Sequence, residues 1–80
     1  MNLNEAVAIR INELLNKKNM TRYRLEQNSG ILHGSMDQIL QNKNKTVTLT
    51  TVYRLARGFD MTVLEFLDAD IFRNEEIEID

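Results

Sequence analysis

The sequence has no cysteine, no proline and no tryptophan, and only one histidine. Without cysteine there can be no disulfide and no thiolate metal site, which suits a reducing compartment. One imidazole, no thiol and no glycine-rich phosphate cradle behind a strand leave acid–base, nucleophilic and nucleotide chemistry without their usual parts. No enzymatic activity and no cofactor are therefore expected. Asp68-Ala69-Asp70 lacks the loop glycine and distal glutamate of a calcium loop, so no metal site is expected either. Long apolar runs are also missing: none approaches the roughly 18 residues needed to span a bilayer. Met1-Asn2-Leu3-Asn4-Glu5 lacks the basic and apolar regions of an export signal. The expectation is a cytoplasmic chain without membrane association, in which Asn19-Met20-Thr21 and Asn44-Lys45-Thr46 match the glycosylation pattern by chance.

Eighty residues with 42% hydrophobic content are enough for one small core and no second domain. We place a single domain over residues 1–73 and an acidic tail over 74–80. The net charge of −2 conceals a division along the chain. Up to Phe59, nine basic residues against four acidic ones give +5; from Asp60 onward, Arg73 alone against eight acids gives −7. Such asymmetry describes a basic working surface with an acidic end kept away from a polyanion.

Hydrophobic spacing divides the chain into five short helices. Val7, Ile11, Leu14 and Leu15 form the first stripe, started by Asn2 with Glu5 three residues later. Thr21 caps a second helix that carries Tyr23 and Leu25 inward, and Gly30 ends it, with Ile31 packing back beyond the glycine. A third helix runs from Leu32 or His33 to about Asn42 on a stripe of Met36, Ile39 and Leu40. A polar, basic loop follows. Thr48 then caps a fourth helix with Leu49, Val52, Leu55, Ala56 and Phe59 on one face. Thr62 and Glu65 form the capping box of a fifth helix, which continues through Phe66 and Leu67 toward Phe72. In the tail, Ile77 and Ile79 alternate with acids; period two permits a small strand, and a frayed end is the expected state.

Two helices joined by a glycine turn, the second short and polar outside, have the geometry that places a helix in the DNA major groove. At about 100° per residue, turning Met36, Ile39 and Leu40 inward puts Gly34, Gln38 and Gln41 outside, flanked by Ser35, Asp37 and Asn42. A glutamine amide can pair with adenine N6 and N7, which makes Gln38 the leading base reader. His33 and Ser35 lie near the helix start, the end that meets base edges in this docking mode. The same stripe would also serve as a solvated amphipathic surface. An outer side packed under other protein, or a leading end shielded by the chain's own carboxylates, would defeat groove docking.

From Met20 to Leu67 the string MTRYRLEQNSGILHGSMDQILQNKNKTVTLTTVYRLARGFDMTVLEFL resembles the phage repressor/Cro, or XRE-like, helix-turn-helix family. Thr21, Leu25, Gly30-Ile31, Met36, Ile39, Leu55-Ala56, Phe59 and Thr62 to Leu67 carry the likeness, and Ile11 and Leu14 extend it into the first helix. The resemblance implies an all-α, five-helix, lambda-repressor-like DNA-binding domain with the helix-turn-helix at helices two and three. It implies phosphate contact at Arg22, base contacts at His33, Gly34 and Gln38, and backbone contact from the loop residues Asn42, Lys43 and Lys45. Arg24 and Lys17 are secondary phosphate candidates.

Three positions depart from the family pattern. Glu26 stands where the family prefers a small residue, and its carboxylate is expected to lie in water. Leu32 replaces the usual Ser or Thr cap, and Gly34 brings no side chain to a base-reading position.

The leading expectation is a sequence-specific, double-stranded DNA-binding transcriptional regulator, a repressor. It would act as a homodimer on a palindromic site, because one small module has a small interface. Phe66, Ile71, Phe72, Ile77 and Ile79 are the apolar residues most available for dimer contact, the alternative being that they only close the monomer core. The alternative is an antitoxin or protein-interaction adaptor that binds a protein partner through its acidic C-terminal surface.

Overall fold

The computed structural model describes residues 1–43, 46–74 and 76–79. Six helices follow in order: α1 (Leu3–Lys17), α2 (Arg22–Ser29), α3 (His33–Leu40), α4 (Leu49–Gly58), α5 (Val63–Leu67) and α6 (Asp70–Arg73). The starts are those that the capping residues encode. The Asn2 side chain accepts from the Glu5 amide at 2.8 Å, and Thr21, Thr48 and Thr62 accept from the amides of Arg24, Thr51 and Glu65 at 3.1–3.2 Å. Each bond satisfies an orphan donor of the first helical turn. Leu32 makes no such bond, so α3 begins without a side-chain cap. The expected fifth helix is split in two, because Ala69 takes an extended conformation (φ −149°, ψ 147°) between α5 and α6.

Gly30 sits at φ 73° with its amide on the Glu26 carbonyl at 3.0 Å, the left-handed helix end that an L side chain adopts only with strain. It turns the chain between α2 and α3. Ile31 then packs into the core, its amide donating to the Ser29 hydroxyl at 3.2 Å. The core joins Val7, Ile11 and Leu14 of α1, Leu25 of α2, Met36 and Ile39 of α3, Val52, Leu55 and Ala56 of α4, Phe59, and Phe66 of α5. Burying each of the larger side chains contributes about 1.5–3 kcal/mol. Phe66 is the hub of the C-terminal half: its ring centroid lies 6.4 Å from that of Phe59 and 6.2 Å from that of Phe72.

Two expectations are corrected by this packing. Tyr23 is 66% exposed; it lies two residues, hence about 200° around the helix, from Leu25 and faces solvent while Leu25 faces the core. Its hydroxyl accepts from Gln27 Nε2 at 2.7 Å. Leu49 is also 66% exposed, because it stands at the edge of the α4 stripe in the first helical turn. Of the two roles open to it, Phe66 takes the monomer core, being wholly buried, whereas Ile71, Phe72 and Ile77 are only partly covered.

The tail is not simply frayed. Glu78 forms an isolated parallel bridge with Asn2, its amide donating to the Met1 carbonyl at 2.9 Å. Among the described residues no helix is long and apolar enough to cross a membrane.

Two close contacts lock the frame on which α3 sits. A Cβ added at Gly58 would meet Leu25 Cδ1 at 2.8 Å and Ser29 Cβ at 2.9 Å, so glycine is what lets α4 approach α2. Asn28 Nδ2 donates to the Gly58 carbonyl at 3.3 Å across the same crossing. On the other side of the molecule Arg10 is 6% exposed, with Nε on the Phe66 carbonyl at 2.7 Å and Nη2 on the Glu65 carbonyl at 3.0 Å. It closes the C-terminal carbonyls of α5 and also pairs with Glu13. Arg10, counted with the basic surface in the sequence, is therefore an internal brace.

Candidate nucleic-acid interface

Helix α3 is held from below by Met36 and Ile39, which are 0% and 3% exposed. This anchoring turns Gly34, Ser35, Gln38 and Gln41 outward, and all four are exposed. The sequence-predicted readers Gly34, Ser35 and Gln38 thus share one open face on which no other part of the described chain packs. A Cβ built at Gly34 would meet nothing within 4 Å, so the missing side chain leaves open space at that point. Beyond α3, Asn42 and Lys43 are exposed, with Asn42 in the left-handed region (φ 55°) and the Lys43 amide on the Gln38 carbonyl at 2.8 Å. Arg24 is exposed on the first turn of α2. Lys45 lies outside the described residues.

The leading end of α3 is built differently from expectation. Arg22 Nε donates to Glu26 Oε2 at 2.8 Å, and its Nη2 donates to Asp37 Oδ1 at 2.6 Å and to the His33 carbonyl at 3.2 Å. His33 Nδ1 lies 3.0 Å from Glu26 Oε2, and with the proton on that nitrogen the ring donates to the carboxylate. Glu26 does not extend into water. Its side chain is 11% exposed and sits between Arg22 and His33. The hydrogen bond to Glu26, then the one to Asp37, raises the Arg22 pKa above its ordinary value. The hydrogen bond from Arg22 pulls Glu26 below the usual carboxylate range against the desolvation that opposes it, and does the same to Asp37.

Chemically this makes the start of α3 a closed charge cluster. Two carboxylates compensate one guanidinium, so Arg22 can hold a DNA phosphate only by giving up partners it already has. The chain's own carboxylates thus shield the leading end of α3 in part: they bond Arg22 and one side of His33, whereas Ser35 and Gln38 are exposed.

The face continues where sequence reading did not look. Thr50, Thr51 and Arg54 of α4 line one hollow together with Ser35 and Gln38 of α3. Arg54 and Arg57 are exposed and have no carboxylate partner among the described residues. The signal was present in the sequence: Thr50, Tyr53, Arg54 and Arg57 recur at i, i+3, i+4 and i+7, opposite the apolar stripe. Only contact between α3 and α4 in space makes that stripe part of the same surface.

No curated protein and no solved structure matches the chain. A family model described as the Cro/C1-type HTH DNA-binding domain matches residues 10–70, which contain α2, α3, α4, α5 and most of α1. With the exposed polar face of α3 held at the glycine corner and the match covering more than half its length, this chain belongs to the Cro/C1-type helix-turn-helix family of DNA-binding regulators.

Proposed function

We propose that the protein is a sequence-specific transcriptional repressor that lays α3 in the major groove. The observation that carries this reading is the outward, uncovered set of Ser35 and Gln38 on a helix fixed by Met36 and Ile39. Gln38 pairs with adenine through its amide, and Ser35 supplies a hydroxyl beside it. His33 adds an imidazole whose side chain is 70% exposed although it leans on Glu26. Gly34 leaves room for a base edge or a thymine methyl. Arg24, Asn42 and Lys43, with Lys45 by its position in the sequence, hold phosphates and set register without reading sequence. Arg22 joins them only when phosphate displaces Asp37 or Glu26.

Two copies on a palindromic site, with half-sites one helical turn apart, supply the affinity that one small module lacks. The domain proper is residues 1–73, with 74–80 as an acidic appendage. Selection of bound duplexes from random DNA tests the reading: a palindromic motif should emerge. Q38A should cost about 1–3 kcal/mol and relax preference at one base pair. Selection with no enriched motif, or a Q38A protein with unchanged preference, would sink it.

A second reading, an adaptor or antitoxin surface, is favoured by one observation. Leu3, Leu67 and Phe72 join two adjoining hollows, one lined also by Val47 and Leu49 and the other by Ile77 and Ile79. Exposed acids at Asp68, Asp70, Glu76 and Glu78 neighbour this apolar strip along the chain. Like charge disfavours a second copy there and favours a basic protein. Truncation after Arg73 separates the readings: an unchanged dimer mass removes the tail from self-association.

A further inference from the structure

Helix α4 carries a second set of cations that the expected site does not use. Its buried residues Val52, Leu55 and Ala56 leave Thr50, Tyr53, Arg54 and Arg57 on the opposite side, one above another along the helix. Two surface hollows meet on this stripe and share Thr50 and Arg54. One, about 320 Å³ in volume, has Ser35 and Gln38 on its far wall; the other continues past Tyr53 to Arg57.

The chemistry of the stripe is that of a polyanion contact. Arginine offers a planar fork of donors that matches phosphate oxygens in pairs, and hydroxyls such as those of Thr50 and Tyr53 are common partners of the DNA backbone. The contrast with Arg22 decides what these cations can do. Arg22 spends its donors on Glu26, Asp37 and the His33 carbonyl, whereas Arg54 and Arg57 have no carboxylate partner among the described residues. A phosphate arriving at Arg54 therefore displaces only water.

We infer that the outer stripe of α4 is a phosphate track, with Arg54 gripping the DNA backbone beside the base pair that faces Gln38 and Arg57 gripping it about one helical turn farther along α4. The inference rests on the DNA-binding reading above and deepens it. Register on the duplex is set from the α4 side as well as from Arg24 and Lys43, and Arg22 contributes little charge.

The test measures log K against log salt for the full chain on a duplex selected from random sequence, comparing wild type with R54Q, R57Q and R22Q. R54Q should flatten the slope by about 0.9, the contribution of one phosphate. It should weaken selected and unrelated duplexes alike and leave the base preference intact. R57Q should act in the same direction, and R22Q should change the slope less than either. R54K should keep the slope, because its charge remains. A variant-free readout is a nuclear magnetic resonance titration of the wild-type chain, in which Tyr53, Arg54 and Arg57 should shift together with Gln38. An unchanged slope in R54Q, or a titration that moves Gln38 and leaves α4 still, overturns the phosphate track while the DNA reading stands. A wild-type chain with no salt-dependent duplex binding overturns the DNA reading and the track with it.

Discussion

On the α2 flank of α3, Arg22 is bonded to Glu26 and Asp37, and His33 leans on the same glutamate. On the α4 flank, Arg54 and Arg57 stand exposed with no carboxylate partner among the described residues. Both flanks carry arginines in the sequence, yet Arg22 must lose an internal partner before it can hold a phosphate, whereas Arg54 and Arg57, like Arg24, are exposed without a carboxylate partner among the described residues. The difference teaches that a count of cations near a recognition helix overstates its positive field wherever carboxylates on the neighbouring turns are within bonding distance. Arg10 makes the same point at greater depth, since it belongs to the interior and not to any DNA-facing surface.

The comparison can be broken or sharpened by substitution, and the largest effect should come from Arg10. Arg10→Ala removes two charge-assisted hydrogen bonds to the end of α5 and should destabilise the fold by about 3 kcal/mol. That lowers the melting temperature by roughly 12–24 °C for a domain of this size. The remaining folded fraction should keep the wild-type salt slope on DNA, and a changed slope would return Arg10 to the surface set. Next comes Gly58→Ala, which drives a methyl into Leu25 and the Ser29 backbone at the crossing that relates the two flanks. A loss of about 1–3 kcal/mol by denaturant titration is expected; no loss would mean that the crossing yields freely.

Glu26→Gln should act oppositely on binding and stability. Releasing Arg22 from one carboxylate should tighten duplex binding and steepen the salt slope by up to about 0.9; an unaltered slope would show that Asp37 alone keeps Arg22 occupied. The pH dependence follows from the same bonds. Glu26 and Asp37 titrate below their ordinary values of 4.5 and 3.8 in the folded chain. Below those values the unfolded chain takes up protons first, so the cluster's stabilisation is complete above about pH 5 and declines as pH falls through the depressed folded values. An acid-denaturation series should show that decline in wild type and a shallower one in Glu26→Gln. The smallest effect is a gain: Gly34→Ala places a methyl in open space on a helix and should stabilise by about 0.5–1 kcal/mol, read as a higher melting temperature.

Much of this was legible from local chemistry. The capping residues Asn2, Thr21, Thr48 and Thr62, the corner at Gly30 and the stripes of α1, α3 and α4 are short-range signals, each decided within one or two helical turns. So is the outward placement of Ser35 and Gln38, which follows from Met36 and Ile39 facing the core. Two failures show where short-range reasoning stops. Tyr23 reads as inward together with Leu25, although the helical angle between them points it to solvent. The carboxylate of Glu26 reads as solvated although Arg22 lies one helical turn back, because its second partner His33, and Asp37 that completes the cluster on Arg22, come near only after the chain turns at Gly30.

The order of α1 to α5, the capped starts of α1, α2, α4 and α5 and the face that α3 presents were determined by the sequence alone, because hydrogen-bond capping and helical periodicity act between residues at most a few positions apart. Which cations remain free was decided only in three dimensions. Pairing depends on distance through space: the turn at Gly30 brings Asp37 and His33 to the Arg22–Glu26 pair on one side, and the close approach at Gly58 sets α4 with its exposed arginines on the other.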